Sequence, residues 1–239
     1  MSRNHSYLVN GHGFIVHSTD ISLLIVDEQS NTASRKYQNG DHVYSVLDDA
    51  CASVVSWPTG SFSLPKPKSG CPSGWDEGYR FQDNEDNSNN NRVTLGSTHH
   101  FYGIFGVNTK MYYCTKTTYS GSSDSWPKGN YCFARKGGSC PSGFCTGFIY
   151  WDDEDTANRN YKSGVLPDGQ YDSNTKINYC CRSDGYAYSY INLPTSKPFY
   201  LYKYKSACQR VRGMTVRQES VTMDDEDVRN ESSDGGCHP

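Results

Sequence analysis

Trp57-Pro-Thr-Gly60 begins a run that passes through Cys71-Pro-Ser-Gly-Trp75 and Gly78 to Asp83-x-Glu85-Asp86-x-x-Asn89-x-Asn91. The run returns 69 residues later as Trp126-Pro-Lys-Gly129, Cys140-Pro-Ser-Gly-Phe144, Gly147 and Asp152-x-Glu154-Asp155-x-x-Asn158-x-Asn160. Across 57–91 the two stretches share 13 identities in 35 aligned positions, where chance gives about two. Three residues are then lost, and Asn108-Thr-Lys110-x-x-Tyr113-Cys114 matches Asn174-Thr-Lys176-x-x-Tyr179-Cys180. Residues 57–125 and 126–190 are therefore two copies of one unit. Two copies are too few for an open solenoid. They are expected to pack on each other around one core, related by a pseudo-twofold axis.

The units read as strands. Phe101–Val107, Met111–Cys114, Gly147–Trp151, Tyr186–Ile191 and Phe199–Tyr202 are aromatic or β-branched runs bounded by Gly, Pro, Asn and Ser. Leu166-Pro-Asp-Gly169 carries turn chemistry, and 83–91 and 119–125 read as polar loops. Only Asp41–Val55 shows near-helical apolar spacing, and one helix is expected there. The fold class expected is mainly β with few short helices, in one globular domain built from a duplicated unit and reinforced by disulfides. Residues 1–56 read as a lead-in packing on the core, 57–208 as the domain, and 209–239 as an acidic, solvated tail.

Composition narrows the function. The chain of 239 residues has 23 basic and 26 acidic side chains, so it lacks the positive field that tracks nucleic-acid phosphates. No stretch approaches 18 consecutive apolar residues, which excludes a membrane-spanning helix. Aromatics at 13% rule out a disordered chain. The ten cysteines are even in number and include no C-x-x-C pair, which points to disulfides and an extracellular protein. Cys71, Cys114, Cys132, Cys140, Cys145, Cys180, Cys181 and Cys208 are expected in bridges. Equivalent places in the two copies favour Cys71–Cys114 and Cys140–Cys180, and Cys51 and Cys237 are left to pair with each other or stay free. Sequons at Asn4 and Asn230 agree with secretion, whereas residues 1–30 show no secretory leader, which keeps a cytoplasmic alternative open.

The ordered motifs resemble the C-terminal domain of apextrin (ApeC). Its opening is matched by Trp57 through Trp75, followed by Gln82-Asp83-x-Glu85-Asp86, Trp126-Pro-x-Gly-x-Tyr-Cys132, Trp151-Asp-Asp-Glu-Asp155, Gly164-x-Leu-Pro-Asp-Gly169, Tyr179-Cys-Cys-Arg182 and Cys208-Gln209. The resemblance implies an invertebrate innate-immune protein that recognises bacterial peptidoglycan and muramyl peptides and aggregates microbes. No length is available here for the perforin-like domain that some members carry.

Two sets of residues are candidate sites. The acidic clusters, Asp83, Glu85 and Asp86 with Asp152, Glu154 and Asp155, place like charges that repel by roughly 1 kcal/mol at about 4 Å in water. Calcium would relieve that repulsion with Asn158 or Asn160 as a neutral ligand, while the alternative is a polar turn that satisfies backbone N–H groups. Zinc at Cys140, Cys145, His99 and His100 is a weaker reading. There is no G-x-S-x-G elbow or phosphate-binding loop. The aromatic set is Trp151, Tyr150, Tyr186, Tyr188 and Tyr190, with Arg182 and Lys176 to meet carboxylates of a peptide. Tyr186, Tyr188 and Tyr190 alternate, so one strand face can carry all three. Trp57, Trp75, Trp126 and Trp151 are better explained as core, whereas packing explains the tyrosine stripe equally well. The function expected first is non-enzymatic recognition of cell-wall glycopeptide. The alternatives are an adhesion or matrix protein and a carbohydrate hydrolase using the acidic loops.

Overall fold

The computed structural model describes residues 18–28, 35–39, 42–46, 55–84, 89–94, 96–118, 125–205, 207–225 and 229–239. Among them run sixteen strands: β1 (Ser18–Glu28), β2 (Arg35–Asn39), β3 (His42–Val46), β4 (Phe62–Pro65), β5 (Asp76–Gln82), β6 (Arg92–Val93), β7 (Gly103–Phe105), β8 (Thr109–Lys116), β9 (Asn130–Arg135), β10 (Cys145–Trp151), β11 (Tyr161–Gly164), β12 (Gly169–Tyr171), β13 (Thr175–Ser183), β14 (Phe199–Lys203), β15 (Met214–Asp224) and β16 (Ser233–Gly236). Fourteen belong to one hydrogen-bonded system, and β2 and β3 form a separate hairpin. The helix expected over 41–55 is not formed at 42–46, where β3 pairs with β2; residues 47–54 lie outside the described residues.

The two copies recognised in the sequence fold alike. β5 pairs with β8 and β10 with β13, with Glu77 opposite Cys114 and Thr146 opposite Cys180. The same inward alternation buries Gly78, Arg80 and Gln82 in β5, and Gly147, Ile149 and Trp151 in β10. Each copy also brings its first strand against its last, placing Leu64 opposite Cys114 and Phe133 opposite Cys180.

The pairing then repeats a third time, which corrects the expected twofold arrangement. β14, β15 and β16 follow the order of β4, β5 and β6, and the closing strand comes from the other end of the chain. β1 pairs with both β14 and β15, with Leu24 opposite Leu201 and Gln218, the register that Cys114 and Cys180 hold in their units. The units interlock cyclically. β11 of the second pairs with β5 of the first, β16 of the third with β10 of the second, and β6 of the first with β15 of the third. The lead-in is therefore part of the sheet at β1. Segment 209–239 is likewise no solvated tail, because β15 pairs with β1 and β16 with β10. The sequence carries this third copy as Asp224-Asp-Glu-Asp227-x-x-Asn230-x-Ser232, in which Ser replaces the last Asn.

Close backbone approach explains the repeated glycine. A Cβ on Gly78 would lie 2.3 Å from the Val165 carbonyl oxygen, and one on Gly147 2.2 Å from that of Cys237. Four disulfides staple the units: Cys71–Cys114, Cys132–Cys181, Cys140–Cys180 and Cys145–Cys237. The two pairings inferred from the repeat are present. Cys237 is taken by Cys145, not by Cys51, which lies outside the described residues. Cys208 corrects the expectation of a bridge, since it has no disulfide partner among the described residues. The reason is positional: Cys208 follows Cys140 by 68 residues, and the third unit offers Leu24 where the others offer a cysteine.

Candidate functional site: an exposed tyrosine loop

Tyr186, Tyr188 and Tyr190 are 81%, 69% and 55% exposed, whereas Ala187 and Ile191 between and beside them are buried. All three rings are exposed, but on a turn between β13 and β14 and not on the strand expected there, and Ser189 between Tyr188 and Tyr190 is exposed with them. Three exposed phenol rings on one loop need a firm base, and neighbouring elements supply it. The Arg210 N–H donates to the Ala187 carbonyl at 2.8 Å and the Ile191 N–H to the Arg210 carbonyl at 3.0 Å. Buried Gln209 donates to the Ser189 carbonyl at 2.6 Å and accepts from the Asn130 N–H at 2.8 Å. Gly185 lies against Gly129, where a Cβ would meet the Gly129 nitrogen at 2.8 Å.

Below the loop, Arg182 Nε donates to Asp184 Oδ1 at 2.7 Å and Nη1 to the Trp126 carbonyl at 2.6 Å. The Arg182 hydrogen bond, helped by the Gly129 N–H, lowers the Asp184 pKa to about 2. Arg182 is therefore a buried brace, correcting its expected role as a ligand contact. The cations beside the rings are Arg210, 5.6 Å from the Tyr188 centroid and 5.9 Å from that of Tyr190, and Arg212, 5.9 Å from Tyr190. Sequence reasoning missed both arginines, which reach the loop only through the pairing of 210–212 with 187–191.

The remaining candidates fall elsewhere. Trp151 is fully buried. Lys176 lies over the Phe148 ring at 3.9 Å, and the Tyr150 hydroxyl accepts from Asn174 at 2.7 Å, both on the outer face of β10–β13. From Lys176 to Ser183 the strand runs seven residues, about 23 Å at 3.3 Å per residue, so Lys176 does not join the tyrosine loop.

The acidic motif is a clasp. Asp83 Oδ2 accepts from the Arg159 N–H at 2.8 Å, Asp152 Oδ2 from the Glu231 N–H at 2.8 Å, and Asp224 Oδ2 from the Asn90 N–H at 2.7 Å. In return Asn160, Ser232 and Asn91 accept from the N–H of Asp83, Asp152 and Asp224 at 2.6, 2.9 and 2.6 Å. Each unit thus grips the next around the ring. Asn89, Asn158 and Asn230 close the turns by accepting from the N–H two residues on, at 2.9, 2.8 and 2.7 Å. The Asn230 sequon coincides with this turn, while Asn4, Glu85 and Asp86 lie outside the described residues. Glu154 is buried and accepts from the Thr156 N–H at 2.8 Å, and Asp155 is exposed. No three His, Cys, Asp or Glu side chains converge as metal ligands among the described residues. Of the carboxylates expected to hold calcium, Asp83, Asp152 and Glu154 accept backbone N–H groups. Cys140 and Cys145, offered for zinc, are disulfide-bonded, and His100 hydrogen-bonds Glu219.

The described chain is thus an all-β module of three interlocked units, presenting a tyrosine loop on a rigid base. The family model described as the C-terminal domain of apextrin (ApeC) matches residues 57–239, and the chain belongs to that family. The match extends past Cys208 through β15 and β16, while β1, which completes the third unit, lies outside it. No curated protein and no solved structure matches the chain. Four disulfides, with no helix among the described residues long and apolar enough to cross a membrane, fit an extracellular protein.

Proposed function

We propose that this protein is an extracellular, non-enzymatic recognition module of innate immunity that binds bacterial cell-wall glycopeptide through the tyrosine loop. The observation carrying the reading is the exposure of Tyr186, Tyr188 and Tyr190 on a base of buried hydrogen bonds. Ring faces suit the apolar side of a sugar, and the hydroxyls suit its polar edge. Arg210 and Arg212 supply forked donors for the carboxylates of a muramyl peptide. A loop already held in place loses little entropy on binding. Aggregation of microbes follows when one assembly of the protein engages more than one particle.

Retention on insoluble peptidoglycan under oxidising conditions, with chitin and cellulose as controls, tests this. The expected result is selective retention that is lost in Tyr186→Ala/Tyr188→Ala/Tyr190→Ala and weakened in Arg210→Ala. Absence of retention, or full retention by the triple variant, refutes the reading.

A further inference from the structure

The outer face of the first unit carries more rings than the equivalent face of the second, where Phe148 and Tyr150 match Tyr79 and Phe81. One row across the sheet is Tyr161, Phe81, Lys110 and Ile104, and the next is Ser163, Tyr79 and Tyr112, extended by Tyr102. The rings form a continuous path, with centroids 4.8 Å apart for Phe81–Tyr161, 5.9 Å for Tyr161–Tyr79, 5.1 Å for Tyr79–Tyr112 and 4.8 Å for Tyr112–Tyr102. Tyr102, Ile104 and Tyr161 are 43%, 63% and 47% exposed. At the matching positions of the second unit, Asn178 stands for Tyr112 and Ser233 for Tyr161. The second unit therefore folds without rings at those two positions.

Charge completes the pattern. Lys110 Nζ sits amid the rings, 3.9 Å from the Tyr79 centroid and 5.3 Å from that of Tyr161, and makes no ion pair among the described residues. Lys66, over Tyr102 at 4.3 Å, is balanced by Glu77 at 2.7 Å. The face thus carries one uncompensated positive charge at its centre. Four strands span three inter-strand gaps, about 14 Å, so the rings form a platform across one face of the sheet.

We propose that this platform is a second binding surface, separate from the tyrosine loop, for an acidic polysaccharide. Linked pyranose rings lie flat on the aromatic path, and a carboxylate or sulfate on the sugar meets the Lys110 ammonium. One net cation is too little to hold nucleic acid by its phosphates.

The test is affinity electrophoresis of the full chain in gels containing heparin, alginate or neutral dextran. The first two probes separate sulfate from carboxylate. Tyr112→Asn/Tyr161→Ser takes the second unit's own residues, and Lys110→Gln removes the charge. Retardation by at least one polyanion and not by dextran is expected. Affinity should fall at least about tenfold in the double variant, and Lys110→Gln should flatten the salt dependence. Melting temperatures should match the parent, and the tyrosine-loop triple variant should retain full polyanion binding. Equal retardation by dextran, none by either polyanion, or undiminished binding by the double variant overturns the proposal. So does binding of these residues to anionic lipid vesicles without polyanion binding.

Discussion

Asp225 is predicted to make the protein less stable as pH rises, and Asp225→Asn to remove that loss. Its equivalents are Asn84 in the first unit and Asp153 in the second. The Asn84 side chain donates to the Asp224 carbonyl at 3.0 Å and accepts from Asn91 at 3.0 Å. Asp153 is offset by Arg80 and hydrogen-bonded by Gln82, Thr175 and Asn160. Asp225 is 2% exposed, and against that burial only the Ser232 side chain, among the described residues, favours its ionised form through a hydrogen bond. Burial, with Asp153, Asp224 and Asp152 nearby, raises its pKa from 3.8 to about 8. Over that window the folded state keeps a proton that the unfolded chain has released, so stability falls with rising pH. At about 1.4 kcal/mol per pKa unit, the ceiling of the loss at pH 8 is about 5 kcal/mol. Removing even a third of it raises the melting temperature by about 4 °C or more. Burial also raises the Asp153 pKa, to about 6, so a shallower slope should persist in the variant up to that pH. Calorimetry of parent and variant at pH 4.5, 6, 7 and 8 checks this. A stability difference that does not widen from pH 4.5 to 8 refutes the reasoning.

Other consequences follow from the same geometry. Leu24→Cys restores the third unit's missing half-cystine, where the equivalent bridges span Cα–Cα distances of 5.4 and 5.5 Å. Mass mapping should find a bridge from position 24 to Cys208, with about 2–4 kcal/mol of added stability under oxidising conditions. Gly147→Ala drives a methyl group into the Cys237 backbone and should cost about 1–3 kcal/mol. The Cys145–Cys237 bridge should then be reduced faster by dithiothreitol than in the parent. Arg182→Ala should return the Asp184 pKa from about 2 toward 3.8, visible by NMR titration. On the proposed function, that substitution should also weaken peptidoglycan retention without touching an exposed ring. In the parent, the stabilisation from the depressed Asp184 pKa is complete above about pH 4 and disappears as pH falls through about 2.

The candidate site was half legible. The spacing of Tyr186, Tyr188 and Tyr190 is a local signal, and all three rings are exposed although the segment is a turn and Ser189 is exposed with them. Arg182 carries no such signal, since a cation two residues from Asp184 reads the same whether it faces solvent or braces the backbone. Arg210 and Arg212 are remote in sequence and arrive through the bridge between Ile191 and Val211. The acidic motif could be found by its repetition, but its purpose could not. A carboxylate that accepts a backbone N–H from the next unit looks, in one dimension, like a carboxylate awaiting a cation.

The amino-acid order by itself established that strands dominate and that a unit recurs after 69 residues, and it favoured pairing of the equivalent cysteines within each copy. Those features depend on side-chain period and spacing, which the chain carries locally. Only the tertiary structure decided that there are three units, that β1 completes the last of them, and that Cys145 joins Cys237. Strand pairing fixes these through register between segments nearly two hundred residues apart, as with Leu24 opposite Leu201. No local pattern encodes such a register, because it is chosen by which edges remain unpaired once the other strands have met.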